Sequence, residues 1–245
     1  MNKIAELDSE VCSARDNDLL AALPPAVLDR LLPHLERVPM SLGKVLYESG
    51  AALWHVYFPT DCIISLLYVL QNGESAEISV VGREGLIGIA LFMGGESTPS
   101  RAIVQSGGHA YRLAGQLLKD EFHKDADMPL LLLRYTQSLI TQMAQTAVCN
   151  RHHSVDQQLC RWLLLSLDRL SSNQLTMTQE LIANMLGVRR EGVTEAAGKL
   201  QQLGVIRYHR GQITVLDRPK LESLSCECYA VVKKETDRLL PMRTC

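Results

Sequence analysis

Aromatic residues are scarce in this chain: three Phe, two Trp and seven Tyr make up 5% of 245 residues. A core must therefore come from aliphatic side chains, and the 47% hydrophobic content is enough to supply one. Long apolar runs are also missing. The longest, Cys62–Leu70 and Pro129–Leu133, fall short of the roughly 18 residues of a membrane span. Met1–Ala21 is polar and acidic, with no apolar secretory segment, so the chain reads as cytoplasmic and without a membrane partner. The seven cysteines (Cys12, Cys62, Cys149, Cys160, Cys226, Cys228 and Cys245) are odd in number and scattered, which argues against a disulfide framework. Only His55 and His109 fall in residues 38–118, and no His-x-His occurs there, so clustered ligands for a catalytic metal are lacking.

Charge of one sign is not missing but unevenly placed. Residues 1–150 hold 11 Lys+Arg against 17 Asp+Glu, a net of −6, and residues 151–245 hold 14 against 10, a net of +4. The positive half is the one expected to face phosphate. It contains the most informative stretch of the chain, residues 178–203. Ala183, Gly187 and Val193 stand where a helix-turn-helix needs a small residue, a turn glycine with φ > 0 and a branched apolar lock. Leu181, Ile182, Leu186, Val188, Val193 and Leu200 form the stripe expected to be buried. Thr178 is placed to cap the first helix, with Glu180 in its first turn. The second helix opens on Arg189, Arg190 and Glu191. Two short strands follow, Val205–Tyr208 and Gln212–Leu216, joined by the basic turn His209-Arg210-Gly211. A helix-turn-helix followed by a basic hairpin is a winged helix.

The rest of the chain divides by pattern. Residues 1–15 read as a polar start, and Asp18–Leu35 as two short helices broken at Pro24-Pro25. From Val38 to about Leu118, short apolar runs alternate with turn signals, which predicts an all-β roll; Asn72-Gly73 marks a hairpin between Ser65–Leu70 and Ala76–Val81. From Pro129 the pattern is helical. Leu133, Thr136, Ile140, Met143 and Ala147 recur at alternating three and four, either as a dimer seam or as one face of a helix packed on its own domain. A linker is expected near Asn150–Ser154, then a helix over Val155–Leu170, and after the wing a helical tail over Lys220–Leu240.

A β-roll, a long helix and a C-terminal winged helix, in that order, resemble the catabolite activator and fumarate–nitrate regulator (CRP/FNR) family over nearly the whole chain. The resemblance implies an α+β fold in three parts: a cyclic-nucleotide-binding-like jelly roll in 1–127, a dimerisation helix in 128–150 and a winged helix-turn-helix in 151–245. It also implies a bacterial homodimer that regulates transcription, binds double-stranded DNA at a palindromic operator through residues 188–203 and is governed by the state of its roll. RNA polymerase is the further partner expected of an activator. The family often begins its reading helix with Arg-Glu, matched by Arg190 and Glu191; by geometry Arg190 can hold guanine and Glu191 can accept from cytosine. Glu195 stands where a basic residue often follows. Thr178, Arg189, Thr194, Lys199, Arg207, His209 and Arg210 complete the DNA-facing candidates, with Arg189 and the wing residues suited to phosphates.

The candidate effector pocket is Gly85, Leu86, Ile87, Gly88, Ser100, Arg101 and Ala102. In cyclic-AMP-binding relatives a Glu stands where Leu86 does and an Arg where Ser100 does. Arg101 comes one position late, which on a strand turns it to the other face, so tight cyclic-nucleotide binding is not expected. The competing readings are a cyclic-nucleotide-responsive regulator and a metalloenzyme built on the roll. Cys12 and Cys62 are too few for a four-cysteine iron–sulfur cluster; haem through His55 or His109 stays open, although a lone His in a β-roll more often serves structure. Cys226-x-Cys228 reads as a poor ligand pair, since two residues apart on a helix do not share a face; Cys149 and His152-His153 read first as solvated linker residues at the presumed hinge, with redox or metal sensing as the alternative. No cofactor is expected, and no effector is identified.

Overall fold

The computed structural model describes residues 14–170 and 172–240. Cys12, Cys245 and most of the polar start lie outside the described residues. Two short helices come first, α1 (Asp18–Ala21) and α2 (Pro25–Leu31), followed by a 3-10 turn at Leu32–His34. Pro25 occupies the first position of α2, where its missing N–H costs nothing. Asn17 is fully buried and caps α1 with its side-chain oxygen, while its amide donates to Pro59 O at 2.8 Å and Gly85 O at 2.9 Å. One side chain thus ties the leading helices to the strands behind them.

Those strands are β1 (Glu36–Met40), β2 (Val45–Tyr47), β3 (His55–Pro59), β4 (Ile63–Val69), β5 (Ser75–Val81), β6 (Arg101–Ser106) and β7 (Gly108–Ala114). They form two antiparallel sheets, ordered β1-β7-β3 and β2-β6-β4-β5. Val56, Phe58 and Leu113 of one sheet share a buried cluster with Ile64, Leu66, Ala102 and Val104 of the other, giving a jelly-roll core. The expected hairpin is present: Asn72 accepts from Glu74 N at 3.0 Å and Gly73 takes φ +87°. Helix α3 (Gly115–Lys124), which the sequence pattern did not reveal, closes the roll.

Helix α4 (Met128–His152) runs along the roll. Tyr135 donates to Leu86 O at 2.7 Å, and Gln142 pairs with both backbone groups of Val80, at 2.8 and 3.1 Å. Since β5 is an edge strand, Gln142 satisfies backbone groups that would otherwise be buried without partners. The helix continues to His152, and Ser154 caps the next helix, α5 (Val155–Leu167), through a full capping box with Gln157. The linker expected at Asn150–Ser154 is therefore only the step from His153 to Ser154.

Two further findings correct expectations for α4. Thr136 is 4% exposed and donates to Leu132 O, and Met143 packs against the roll core, so neither lies on the outer face with Leu133, Ile140 and Ala147. Alternating threes and fours fit two adjoining faces of a helix, and the roll claims the face carrying Leu132, Tyr135, Thr136 and Leu139. The solvent-facing stripe is Leu130, Leu133, Ile140, Ala144, Ala147 and Val148.

The remaining elements are β8 (Gln174–Thr176), α6 (Gln179–Leu186), α7 (Arg190–Gln202), β9 (Ile206–His209), β10 (Gln212–Val215), α8 (Arg218–Leu224) and α9 (Glu227–Leu239). The wing has a third strand, β8, which pairs with β10 and was too short to show a period in the sequence. The tail is two helices. Helix α9 lies antiparallel along α4, with Cys226 and Cys228 beside Cys149 at one end and Leu239 and Leu240 in the roll cluster at the other.

This second half does not stand apart from the roll. Ile63, Leu67 and Val80 on the outer face of the larger sheet share one buried cluster with Trp162, Leu163, Ile182 and Leu186. Strand β4 is accordingly buried on both faces from Ile63 to Leu67, which explains why its sequence reads as a continuous apolar run rather than an alternation.

Candidate nucleic-acid interface

The helix-turn-helix is built as its residue types require. Thr178 accepts from Leu181 N and caps α6; Gly187 ends it at φ +64°, and Val188 N bonds back to Ala183 O at 3.0 Å. Ile182, Ala183, Leu186, Val193, Ala196, Ala197 and Leu200 lock α6 to α7. Leu181 departs from the expected stripe and is 38% exposed, because the interhelical contact is narrow and passes through Ala183 rather than across the whole first turn.

Helix α7 offers an exposed, charged leading edge: Arg189 as its N-cap, then Arg190, Glu191, Thr194 and Glu195. Thr194 hydroxyl donates to Gln179 Oε1 at 2.8 Å, which orients it from α6. Lys199 is held between Glu195 at 3.0 Å and Asp156 of α5 at 3.1 Å, so its ammonium is already shared by two carboxylates. The same pairing offsets the acid at Glu195. On the wing, Arg207, His209 and Arg210 are all exposed. Arg210 at φ +48° and Gly211 at φ +80° are the two central residues of the β9–β10 turn, the type I′ geometry of a tight hairpin. Non-glycine residues rarely adopt φ > 0 without a functional or structural demand, and here that backbone presents an arginine at the wing tip.

Between the reading helix and the wing lies an open cleft of about 500 Å³ lined by Thr178, Gln179, Glu180, Arg190, Tyr208 and Arg210. Tyr208 fixes its floor by donating to Met177 O at 2.7 Å. Arg189 points elsewhere: it lines a separate crevice between the helix-turn-helix and the β4–β5 hairpin, together with Tyr68, Glu74 and Asn184. The two adjacent arginines thus address different surfaces.

Comparison with known proteins identifies this arrangement. Residues 157–224 match the Crp-like helix-turn-helix domain. The chain is 20% identical over 214 residues to the global nitrogen regulator of Synechococcus elongatus, covering 83% of this chain and 95% of that protein. It is 23% identical over 206 residues to the anaerobic regulatory protein of Pasteurella multocida, covering 81% of this chain and 75% of that one. Its fold matches a CRP/FNR regulator from Eubacterium rectale with a TM-score of 0.67 at 17% identity, over 86% of this chain and 98% of that one. It matches FixK2 from Bradyrhizobium japonicum with a TM-score of 0.69 at 16% identity, over 78% and 98%.

Residues 157–224 are a Crp-like helix-turn-helix domain, and the chain as a whole has the fold of the CRP/FNR regulators. No helix among the described residues is long and apolar enough to cross a membrane. Its roll has a distinctive interior. A cavity of about 90 Å³ is lined by Leu86, Ile87, Gly88, Ser100, Tyr47 and Met143, among others. Ligand pockets commonly measure about 300–1,000 Å³, and no cation lines this one. Of the effector candidates, Gly85, Arg101 and Ala102 stand outside the lining. Gly85 lies under the Tyr135 ring, where a Cβ would come within 2.2 Å of it; Arg101 pairs with Glu48 at 3.1 Å; Ala102 is buried in the roll core. Ser100 hydroxyl lies 3.0 Å from the Thr98 hydroxyl. His55 and His109 sit five positions apart along β7, at its Ala114 partner and at His109 itself, about 17 Å at strand spacing, and do not converge.

Sequence reasoning missed one grouping. Cys226 is not on a helix but caps α9 from extended backbone (φ −79°, ψ 164°), so the two-residue step to Cys228 spans a bend and both sulfurs reach the same place. Cys149 and His153, 73 or more positions earlier, meet them there. Only the antiparallel packing of α9 on α4 creates this cluster, and no local spacing signals it.

Proposed function

We propose that this chain is a transcription regulator of the CRP/FNR type that binds a two-fold symmetric operator as a homodimer, with α7 entering the major groove and the wing tip on the flanking phosphates. The observation that carries the reading is the exposed edge Arg190, Glu191, Thr194 and Glu195 on α7, with Arg190 lining an open cleft that Arg210 of the wing also lines. In this reading Arg190 and Glu191 read bases, Arg189, Arg207, His209 and Arg210 hold phosphates, and Thr178 and Lys199 support from the helix ends. The stripe Leu130, Leu133, Ile140 and Ala147 supplies the dimer seam. The roll governs activity through its buried contact with α5 and α6, and RNA polymerase is the partner proposed for an activating role.

Selection of bound sequences from a random DNA pool by the reduced, ligand-free chain, at stated salt, tests the reading. Enrichment of a palindrome with half-sites one helical turn apart is the expected outcome; enrichment of unpaired sites would contradict the dimer. Arg190→Ala is expected to cost about 1–3 kcal/mol at one base pair and relax preference there. A uniform loss across all sequences would reassign Arg190 to a phosphate.

A further inference from the structure

Four metal-ligating side chains converge where α4 ends, the chain turns into α5, and α9 begins. Cys149 lies in the last turn of α4, His153 is its C-cap, Cys226 is the N-cap of α9 and Cys228 stands in the first turn of α9. Their ligand atoms all lie within 4.8 Å of one another. Cys149 Sγ is 3.5 Å from Cys226 Sγ, and Cys228 Sγ is 3.6 Å from His153 Nδ1. A tetrahedral zinc ion with Zn–S near 2.3 Å and Zn–N near 2.0 Å needs edges of about 3.8 Å between sulfurs and about 3.5 Å between sulfur and nitrogen. The observed separations match a single ion and leave no room for the bridging sulfides of an iron–sulfur cluster.

The surroundings fit the same occupant. All three thiols are buried, so water has no easy access to the centre. His153 turns Nδ1 to the sulfurs while its Nε2 lies 3.3 Å from Glu227 Oε2, the outer carboxylate that commonly orients a metal-bound imidazole. Three thiolates, one neutral imidazole and Zn²⁺ carry a net charge of −1. Arg161 of α5 is 4% exposed, donates to Thr146 Oγ1 at 3.2 Å and leaves its Nε without a partner. Its guanidinium is near enough to Cys149 to act on that thiol electrostatically. A buried guanidinium needs a counter-charge, and an anionic zinc centre provides one.

We propose that Cys149, His153, Cys226 and Cys228 bind one Zn²⁺ in a closed structural site that staples α9 to the end of α4. Four protein donors leave no open position, which is the mark of a structural rather than catalytic zinc. The staple sits beside Ser154, where the chain leaves α4 for the DNA-binding half, so it fixes the angle between them. That consequence for DNA rests on the operator reading above; the metal content does not.

The test is metal analysis of the full chain, purified reduced and without chelator. One zinc per chain is expected, with Cys149→Ser, Cys228→Ser and His153→Ala each lowering it at least tenfold and Cys62→Ser leaving it unchanged. Variants that misfold are bypassed by stripping the wild-type chain with chelator and adding Co²⁺, which should give the intense visible absorption of a tetrahedral thiolate-rich site. Metal-free protein that takes up neither Zn²⁺ nor Co²⁺ overturns the proposal, as does a Cys149–Cys226 disulfide in protein isolated anaerobically. Restored zinc should also restore at least tenfold of operator affinity lost on stripping. Zinc bound at full stoichiometry with no sequence selection by the chain would leave the metal site standing and count against the operator reading alone.

Discussion

Gly187 and Arg210 both hold positive-φ backbone within the Crp-like helix-turn-helix domain. Gly187 holds the helix-turn-helix bend at φ +64°, and a Cβ added there would come to 3.4 Å from Ala76 of the roll. Space is adequate, so the cost of Gly187→Ala is conformational, about 1–2 kcal/mol, and should appear as a lower denaturation midpoint in urea with DNA affinity reduced in parallel. Arg210 presents the opposite case. Its φ of +48° is unfavourable for an arginine, while Asn before Gly is the preferred pair for this turn. Arg210→Asn should therefore raise stability by up to about 1 kcal/mol and yet weaken binding, reducing the slope of log affinity against log salt by about one. An unchanged salt slope would count against the phosphate role proposed for Arg210.

Helix α4 shows how one element serves two partners. Its inner face is committed to the roll through Tyr135, Leu139 and Gln142, and its outer face leaves Leu133 at 52% and Ile140 at 58% exposure. Substitutions on the two faces should separate. Ile140→Asp is expected to give monomer by sedimentation with little change in the unfolding of the subunit. Met143→Ala, facing the core, should cost about 2 kcal/mol and leave the assembly state intact. A dimeric Ile140→Asp variant would move the seam to another surface.

Across the whole molecule, the roll and the DNA-binding half are joined by a buried polar network as well as by apolar contact. Ser65 hydroxyl lies 2.6 Å from Glu77 Oε2 and 2.7 Å from Gln105 Oε1, Trp162 Nε1 donates to Glu77 Oε1 at 3.1 Å, and Gln105 Nε2 donates to Ser166 at 3.2 Å. One hydroxyl proton cannot serve two acceptors, and a protonated Glu77 donating to Ser65 completes the network. Burial pushes the Glu77 carboxyl up to about 7, against the pull of Ser65, Arg161, Trp162 and Arg169. The unfolded chain releases that proton near pH 4.3, so the contribution to stability is fully present below that value and is lost as pH rises through 7. Melting temperature should fall over that window in the wild type, and Glu77→Gln should flatten the fall. An unaltered slope would assign the titration to another group.

Much of this was legible in the residues themselves. Thr178, Gly187 and the β9–β10 turn act through their immediate neighbours, so capping, positive φ and hairpin chemistry read directly from spacing. The order of roll, long helix and winged helix followed from the change from short apolar runs set between turn signals to helical spacing. Local pattern could not decide which of two faces of α4 meets the roll, because Thr136 and Met143 fit the same heptad as Ile140. It could not show that β4 is covered on both sides, that Arg101 is occupied by Glu48, or that Lys199 is shared by Glu195 and Asp156. The gathering of Cys149 and His153 with Cys226 and Cys228 was the furthest from view. Short-range chemistry is written in neighbouring residues, whereas these pairings depend on which surfaces are buried when distant elements pack.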